Sequence, residues 1–180
     1  MRGRQGWHPL TVAEHSSGWF NGLPADDLDE HLRACNAADR FVHEVAAGRP
    51  YASASAVADT AEAVALGLDW AEVGQALAAH PRIGDRVGGN SAEARSSRAE
   101  QASMGSADED VRAALLEGNQ EYEARFGHVY LIRAAGRSPA EMLAELRRRL
   151  GNDEANERVE VTRQLAEITR LRVQKLVIES

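Results

Sequence analysis

Through most of this 180-residue chain, apolar residues return every three or four positions, the period of a helix with one buried face. The breaks between these stretches carry residues that start and stop helices. Pro24 suits a first helical turn, and Asp26, Asp27, Asp29 and Glu30 suit its positive end, which predicts a helix to about Cys35. A second is expected over 37–47, ahead of Gly48-Arg49-Pro50, and a third over about 53–66. Asp69 is placed to cap a helix over 70–79, and Pro81 stops it, because the residue before a proline is pushed out of the α region. Residues 81–90, PRIGDRVGGN, form a Gly-rich loop, followed by helices over roughly 92–104 and 108–126. In the longer of these, Val111, Leu115, Tyr122 and Phe126 share one face. Ser138 to Glu141 is a capping box with Pro139 at the first helical position, opening a helix that ends near Leu150-Gly151. The last helix, about 153–178, is long and amphipathic. Only GHVYLIRA (127–134) has strand-like character, and one lone extended segment cannot make a sheet. The expected class is all-α: a single-domain bundle of about eight helices over 19–180, after a poorly ordered extension at 1–18.

Composition narrows the function. A net charge of −7 argues against nucleic-acid binding, whose footprint is basic, and requires any anionic ligand to be held by locally placed cations. Cys35 is the only cysteine, which excludes an internal disulfide and a thiolate metal cluster and suits a reducing cytoplasm. The first 17 residues contain two early arginines but no apolar run after them, so no signal peptide is expected, and no stretch approaches transmembrane length. The final Val-Ile-Glu-Ser is not a peroxisomal address.

Three places carry candidate chemistry. His80 sits at a helix end beside a proline, facing a loop with Arg82, Arg86 and three glycines. Such a site leaves an imidazole reachable, with the helix C-terminus favouring its protonated form; the competing reading is a plain surface histidine. Ser97, Glu100 and Gln101 lie at offsets that place them on one helical face. That face is either solvated or a patch suited to a ureido-type ligand, with Glu100 free to accept from N–H groups or orient a histidine. Arg172 falls on the apolar stripe of Val161, Leu165, Ile168 and Leu176, about 20° from Leu165 around the helix. A guanidinium there needs an anionic partner, either an internal glutamate or a bound carboxylate. Arg163 and Arg170 lie off the stripe and are assigned to solvent. Asn119 is expected to tie a loop, and the spacing of His31 and Cys35 is taken as coincidence, since two ligands do not make a metal site. The glycines at 84, 88 and 89 follow a helix rather than a strand, which disfavours a phosphate cradle.

The segment AAHPRIGD (78–85), followed by SRAEQ (97–101), resembles the signature of the OHCU (2-oxo-4-hydroxy-4-carboxy-5-ureidoimidazoline) decarboxylases. The resemblance continues through FNGLP (20–24), GRPYAS (48–53), NQEYEARFG (119–127), LRRRLGN (146–152) and the ITRLR ending at Arg172, in the family's order and spacing. It implies an all-α fold and conversion of OHCU to (S)-allantoin and carbon dioxide in urate degradation, with no cofactor and no metal. It also implies a homodimer. By matching positions, His80 takes the catalytic, proton-donating role, Glu100 is its paired acid and Arg172 is the active-site arginine. Pro81, the segment Ser97, Arg98, Ala99, Glu100 and Gln101, and the segment Tyr130, Leu131, Ile132, Arg133 and Ala134 are expected to line the substrate. His128, Tyr130 and Arg133 depart from the family's usual apolar, phenylalanine and small residues. Two other classes are weighed against this: a non-catalytic helical binding module, which makes no demand on His80 or Glu100, and a metal-dependent hydrolase, for which only scattered histidines at 8, 15, 31, 43, 80 and 128 are available.

Overall fold

The computed structural model describes residues 17–85 and 88–178. Nearly all of the expected extension, together with Arg86, Val87, His8 and His15, lies outside the described residues. Nine α-helices are present among those described: α1 (Gly18–Gly22), α2 (Ala25–Cys35), α3 (Asp39–Ala47), α4 (Ala54–Leu66), α5 (Trp70–Ala78), α6 (Ala92–Glu100), α7 (Glu109–Phe126), α8 (Pro139–Arg149) and α9 (Glu154–Ile178). A 3-10 turn (Ala102–Ser106) follows α6, where a single helix to 104 was expected. The short α1 was not foreseen. It is pinned rather than frayed: Phe20 is fully buried, the Ser17 hydroxyl donates to the Tyr51 carbonyl, and Asn21 donates to the same oxygen at 2.9 Å.

The caps explain why the helices begin where they do. Ser53, Asp69, Ser91 and Ser138 each accept a backbone N–H of the first turn, with full capping boxes at Asp69/Glu72 and Ser138/Glu141. Gly127 closes α7 at φ +76°, a left-handed conformation that a side chain would strain.

Two clusters of buried side chains form the interior. The larger joins α1–α5 to α9 around Phe20, Leu32, Phe41, Val57 and Leu165. The smaller packs α7 against α8 around Leu115, Tyr122, Met142 and Leu146. The segment after Gly127 runs between them without a strand partner. Its side chains Tyr130, Leu131, Ile132 and Ala134 are buried, and side chains take over the role of a sheet ladder: Arg149 Nη1 donates to the Leu131 carbonyl at 2.7 Å, and the Arg133 N–H donates to Gln164 Oε1 at 2.8 Å. Arg149 and Glu157, both with fully buried side chains, form an ion pair at 2.6 Å that also takes the Tyr122 hydroxyl. That network locks the segment against α7, α8 and α9. Arg170 is not left to solvent as expected: it reaches Asp59 at 2.6 Å and Glu62 at 2.8 Å on α4, the helix that packs most extensively on α9.

Candidate active site

α5 delivers His80 to the seam between the two clusters. The helix ends at Ala78, but the His80 N–H still bonds to the Leu77 carbonyl at 3.0 Å, so the side chain turns inward. Nδ1 lies 2.9 Å from the Ala76 carbonyl; since a carbonyl only accepts, Nδ1 carries the hydrogen and Nε2 the lone pair. Nε2 is buried and has no hydrogen-bond partner among the described residues. Burial, reinforced by the Arg172 cation, pushes His80 down to about 4, so the imidazole is neutral at pH 7. The expectation of a reachable, protonated imidazole is therefore corrected. The bond to the helix-end carbonyl does favour the charged form, but burial and a neighbouring cation outweigh it.

α6 and α9 supply the charged partners. Arg172 is 4% exposed on the inward stripe, and its guanidinium is nearly saturated. Nε donates to Glu100 Oε1 at 2.7 Å, and Nη2 to Glu100 Oε2 at 2.9 Å and to Ser97 Oγ at 3.1 Å. Nη1 donates to the Ala34 carbonyl at 3.3 Å. Of five guanidinium hydrogens, these contacts leave roughly one. The acid expected to pair with His80 is thus held by Arg172 in a two-pronged fork, the geometry in which an arginine binds a carboxylate most strongly.

His80, Arg172 and Glu100 meet at a cavity of about 20 Å³, enclosed by Pro81, Ile83, Ser97 and Gln101 on one side and by Tyr130, Leu131, Ile132, Ala134 and Ile168 on the other. Its Gly-rich rim is tied down at two points. Gln101 Oε1 accepts from the Gly84 N–H at 3.0 Å, and Asn119 Nδ2 donates to the Ile83 carbonyl at 2.9 Å, the loop-tying role expected of Asn119.

A protein-family model described as OHCU decarboxylase matches residues 21–174. The chain belongs to that family. It is 30% identical over 155 residues to the uric acid degradation bifunctional protein TTL of Arabidopsis thaliana, a match that takes in 82% of this chain and 47% of that protein. The chain thus spans about half the length of that relative. Among solved structures, an OHCU decarboxylase crystallised in the presence of (S)-allantoin superposes with a TM-score of 0.71 at 25% identity, over 82% of this chain and 97% of the other. An (S)-allantoin synthase shares the fold alone, at 13% identity and a TM-score of 0.65, over 88% of this chain and 52% of that one.

Against the family motif, the structure divides the expected lining. Within SRAEQ, Ser97, Glu100 and Gln101 face the cavity, whereas Arg98 is exposed and donates to the Gly89 carbonyl at 2.6 Å. Ala99 is on an outer groove. A helix cannot present five consecutive side chains to one space. Within Tyr130–Ala134, four residues line the cavity, but the Arg133 side chain turns away to Glu167 at 3.1 Å. Gln101 spends its amide on the loop rather than offering it to a ligand. Ile83 and Ile168 complete the wall and were not picked out as site residues; Ile168 was legible as a member of the Arg172 stripe. Among the described residues no three His, Cys, Asp or Glu side chains gather in a way that could hold a metal ion, and no helix is long and apolar enough to cross a membrane.

Proposed function

We infer that this chain decarboxylates OHCU to (S)-allantoin, with His80, Glu100 and Arg172 as its catalytic residues and no metal or organic cofactor. One observation carries the reading: a buried, neutral histidine presents an Nε2 with no partner among the described residues in the same cavity as an arginine–carboxylate fork. OHCU bears its carboxylate on a carbon adjacent to a ring C=N. When the carbon–carboxylate bond breaks, the electron pair moves into that C=N, so the substrate is its own electron sink. One proton is taken up overall, and its delivery to one face sets the stereochemistry. His80 enters this sequence as a base. Its Nε2 takes the proton of the substrate hydroxyl and returns it to the developing product, so its proton-donor role follows from its basic one. Arg172 supplies the positive charge that the carboxylate and the delocalised anion require, and Glu100 fixes the guanidinium plane.

Pro81, Ser97, Tyr130, Leu131, Ile132 and Ala134 complete the substrate wall in this reading, with Gln101 acting through the loop. A homodimer and a cytoplasmic setting are also inferred. The first rests on the family likeness; the second rests on Cys35, a lone thiol, buried and pushed up to about 12 by burial, which has no disulfide partner to need an oxidising compartment. The deciding experiment follows the circular dichroism of allantoin formed from freshly generated OHCU. Rapid appearance of the (S) enantiomer supports the reading. Racemic product at the spontaneous rate, from folded protein, overturns it and leaves a non-catalytic binding module.

A further inference from the structure

The cavity at His80, at about 20 Å³, has room for roughly one water molecule. A ring bearing a carboxylate and a ureido arm enters it only if part of the wall moves. Arg172 is the wall residue shared with the outside. It also lines a groove of about 360 Å³ between α2, α6 and α9, whose polar lining includes His31, Arg95, Ser96 and Lys175. The guanidinium spans the two spaces: Nε and Nη2 are turned to Glu100 and Ser97 on the cavity side, while Nη1 is bonded to the carbonyl of Ala34, a groove residue.

The groove is unusual in its charge. The chain carries −7 overall, yet among the described residues no aspartate or glutamate lines this groove. Many of the described cations are paired, among them Arg33 with Asp29, Arg40 with Glu44, Arg82 with Glu123 and Arg170 with Asp59. Lys175 and Arg95 have no carboxylate partner among the described residues; Arg95 instead donates to the Asn90 carbonyl at 2.6 Å. Lys175 further borders a second hollow of about 270 Å³ that contains both Arg172 and Glu100. Cations with no carboxylate partner among the described residues, on either side of a shared arginine in an acidic protein, make a local field for a small anion.

We propose that the α2–α6–α9 groove is an outer carboxylate site for anionic ureido acids, in which Lys175 and Arg95 receive the substrate before Arg172 passes it to the His80 cavity. This rests on the decarboxylase reading for the identity of the substrate, but the site itself can be tested without turnover. The probes are hydantoate, a stable ureido carboxylate, and hydantoin, its uncharged ring form. Lys175→Glu is the principal variant, because its exposed side chain makes no hydrogen bond or ion pair among the described residues; Arg95→Gln is the second.

Calorimetry on the wild type is expected to show hydantoate binding that weakens with salt. In Lys175→Glu hydantoate binding should be lost or fall by roughly tenfold, with hydantoin unaffected. In turnover, kcat/KM for OHCU should fall by roughly tenfold at low ionic strength and lose its salt dependence, while kcat stays within about twofold. Arg95→Gln should move the same quantities in the same direction. Unchanged hydantoate affinity in Lys175→Glu, or unchanged kcat/KM with its salt dependence intact, overturns the proposal. A wild-type protein that binds hydantoate but makes no (S)-allantoin overturns the decarboxylase reading and leaves the groove standing.

Discussion

Arg172 grips both carboxylate oxygens of Glu100, at 2.7 and 2.9 Å, across the gap between α9 and α6. The two residues therefore act as one unit. Glu100→Gln and Arg172→Gln are each expected to lower turnover by about 10²-fold or more, and the double variant should be little worse than either alone. The check is the rate of (S)-allantoin formation by all three folded variants. Additive losses would mean that the fork has no catalytic unity.

Arg172→Lys should be nearly as damaging as Arg172→Gln, because an ammonium keeps the charge but cannot reproduce the two-pronged fork or the bonds to Ser97 and Ala34. Arg170→Lys, two residues away, should cost less than about 1 kcal/mol and leave kcat/KM intact, since its partners Asp59 and Glu62 are partly exposed. Parallel kinetics and urea melts separate the two; equal activity losses would contradict the assignment.

His80 gives the molecule a defined pH response. Its folded-state pKa of about 4 lies below the ordinary histidine value, so between the two the unfolded chain binds the extra proton. Its contribution is complete above about pH 6.5 and is lost as pH falls toward 4, by up to about 3 kcal/mol. The urea midpoint should drop over that range, and His80→Gln should flatten the drop. With His80 neutral across the physiological range, kcat/KM should show no acid limb near pH 6.5 and should decline only toward pH 4. A fall of the urea midpoint toward pH 4 that His80→Gln leaves unchanged would show that the imidazole titrates normally.

Glu157→Ala should destabilise the fold by about 3–5 kcal/mol, because it strands the fully buried Arg149 without its counter-ion. Arg158→Ala, which opens an exposed pair with Glu154 and a cation–π contact with Trp70, should cost no more than about 1–2 kcal/mol. Chemical denaturation of both variants makes the comparison. Similar midpoints would deny the Arg149 network its role in fixing the Tyr130–Ala134 wall.

Treatment with EDTA should leave (S)-allantoin formation unchanged, since decarboxylation delivers its electron pair to the substrate's own C=N. Activity lost to the chelator and restored by zinc or magnesium would require a different mechanism.

Helix period, caps and breakers are local properties, and here they are strong. Pro24, Asp69, Ser138-Pro139 and Gly127 mark boundaries that the structure keeps to within a residue or two. The placement of Arg172 on the buried stripe followed from periodicity alone, and the motif order pointed to the family. The partners of those residues were not local. That Glu100 meets Arg172 rather than His80 depends on how α6 crosses α9, which no spacing within either helix encodes. The charge state of His80 is decided by its surroundings: a helix end favours an imidazolium, but packing against Arg172 in a closed cavity reverses that preference. The extended segment 127–134 was visible as an anomaly, but its role as a wall held by Arg149 and Gln164 exists only once α8 and α9 come together. Local sequence determined where each helix lies and which face it buries. Desolvation and the pairing of charges distant in sequence are collective effects, and only the tertiary structure decided them.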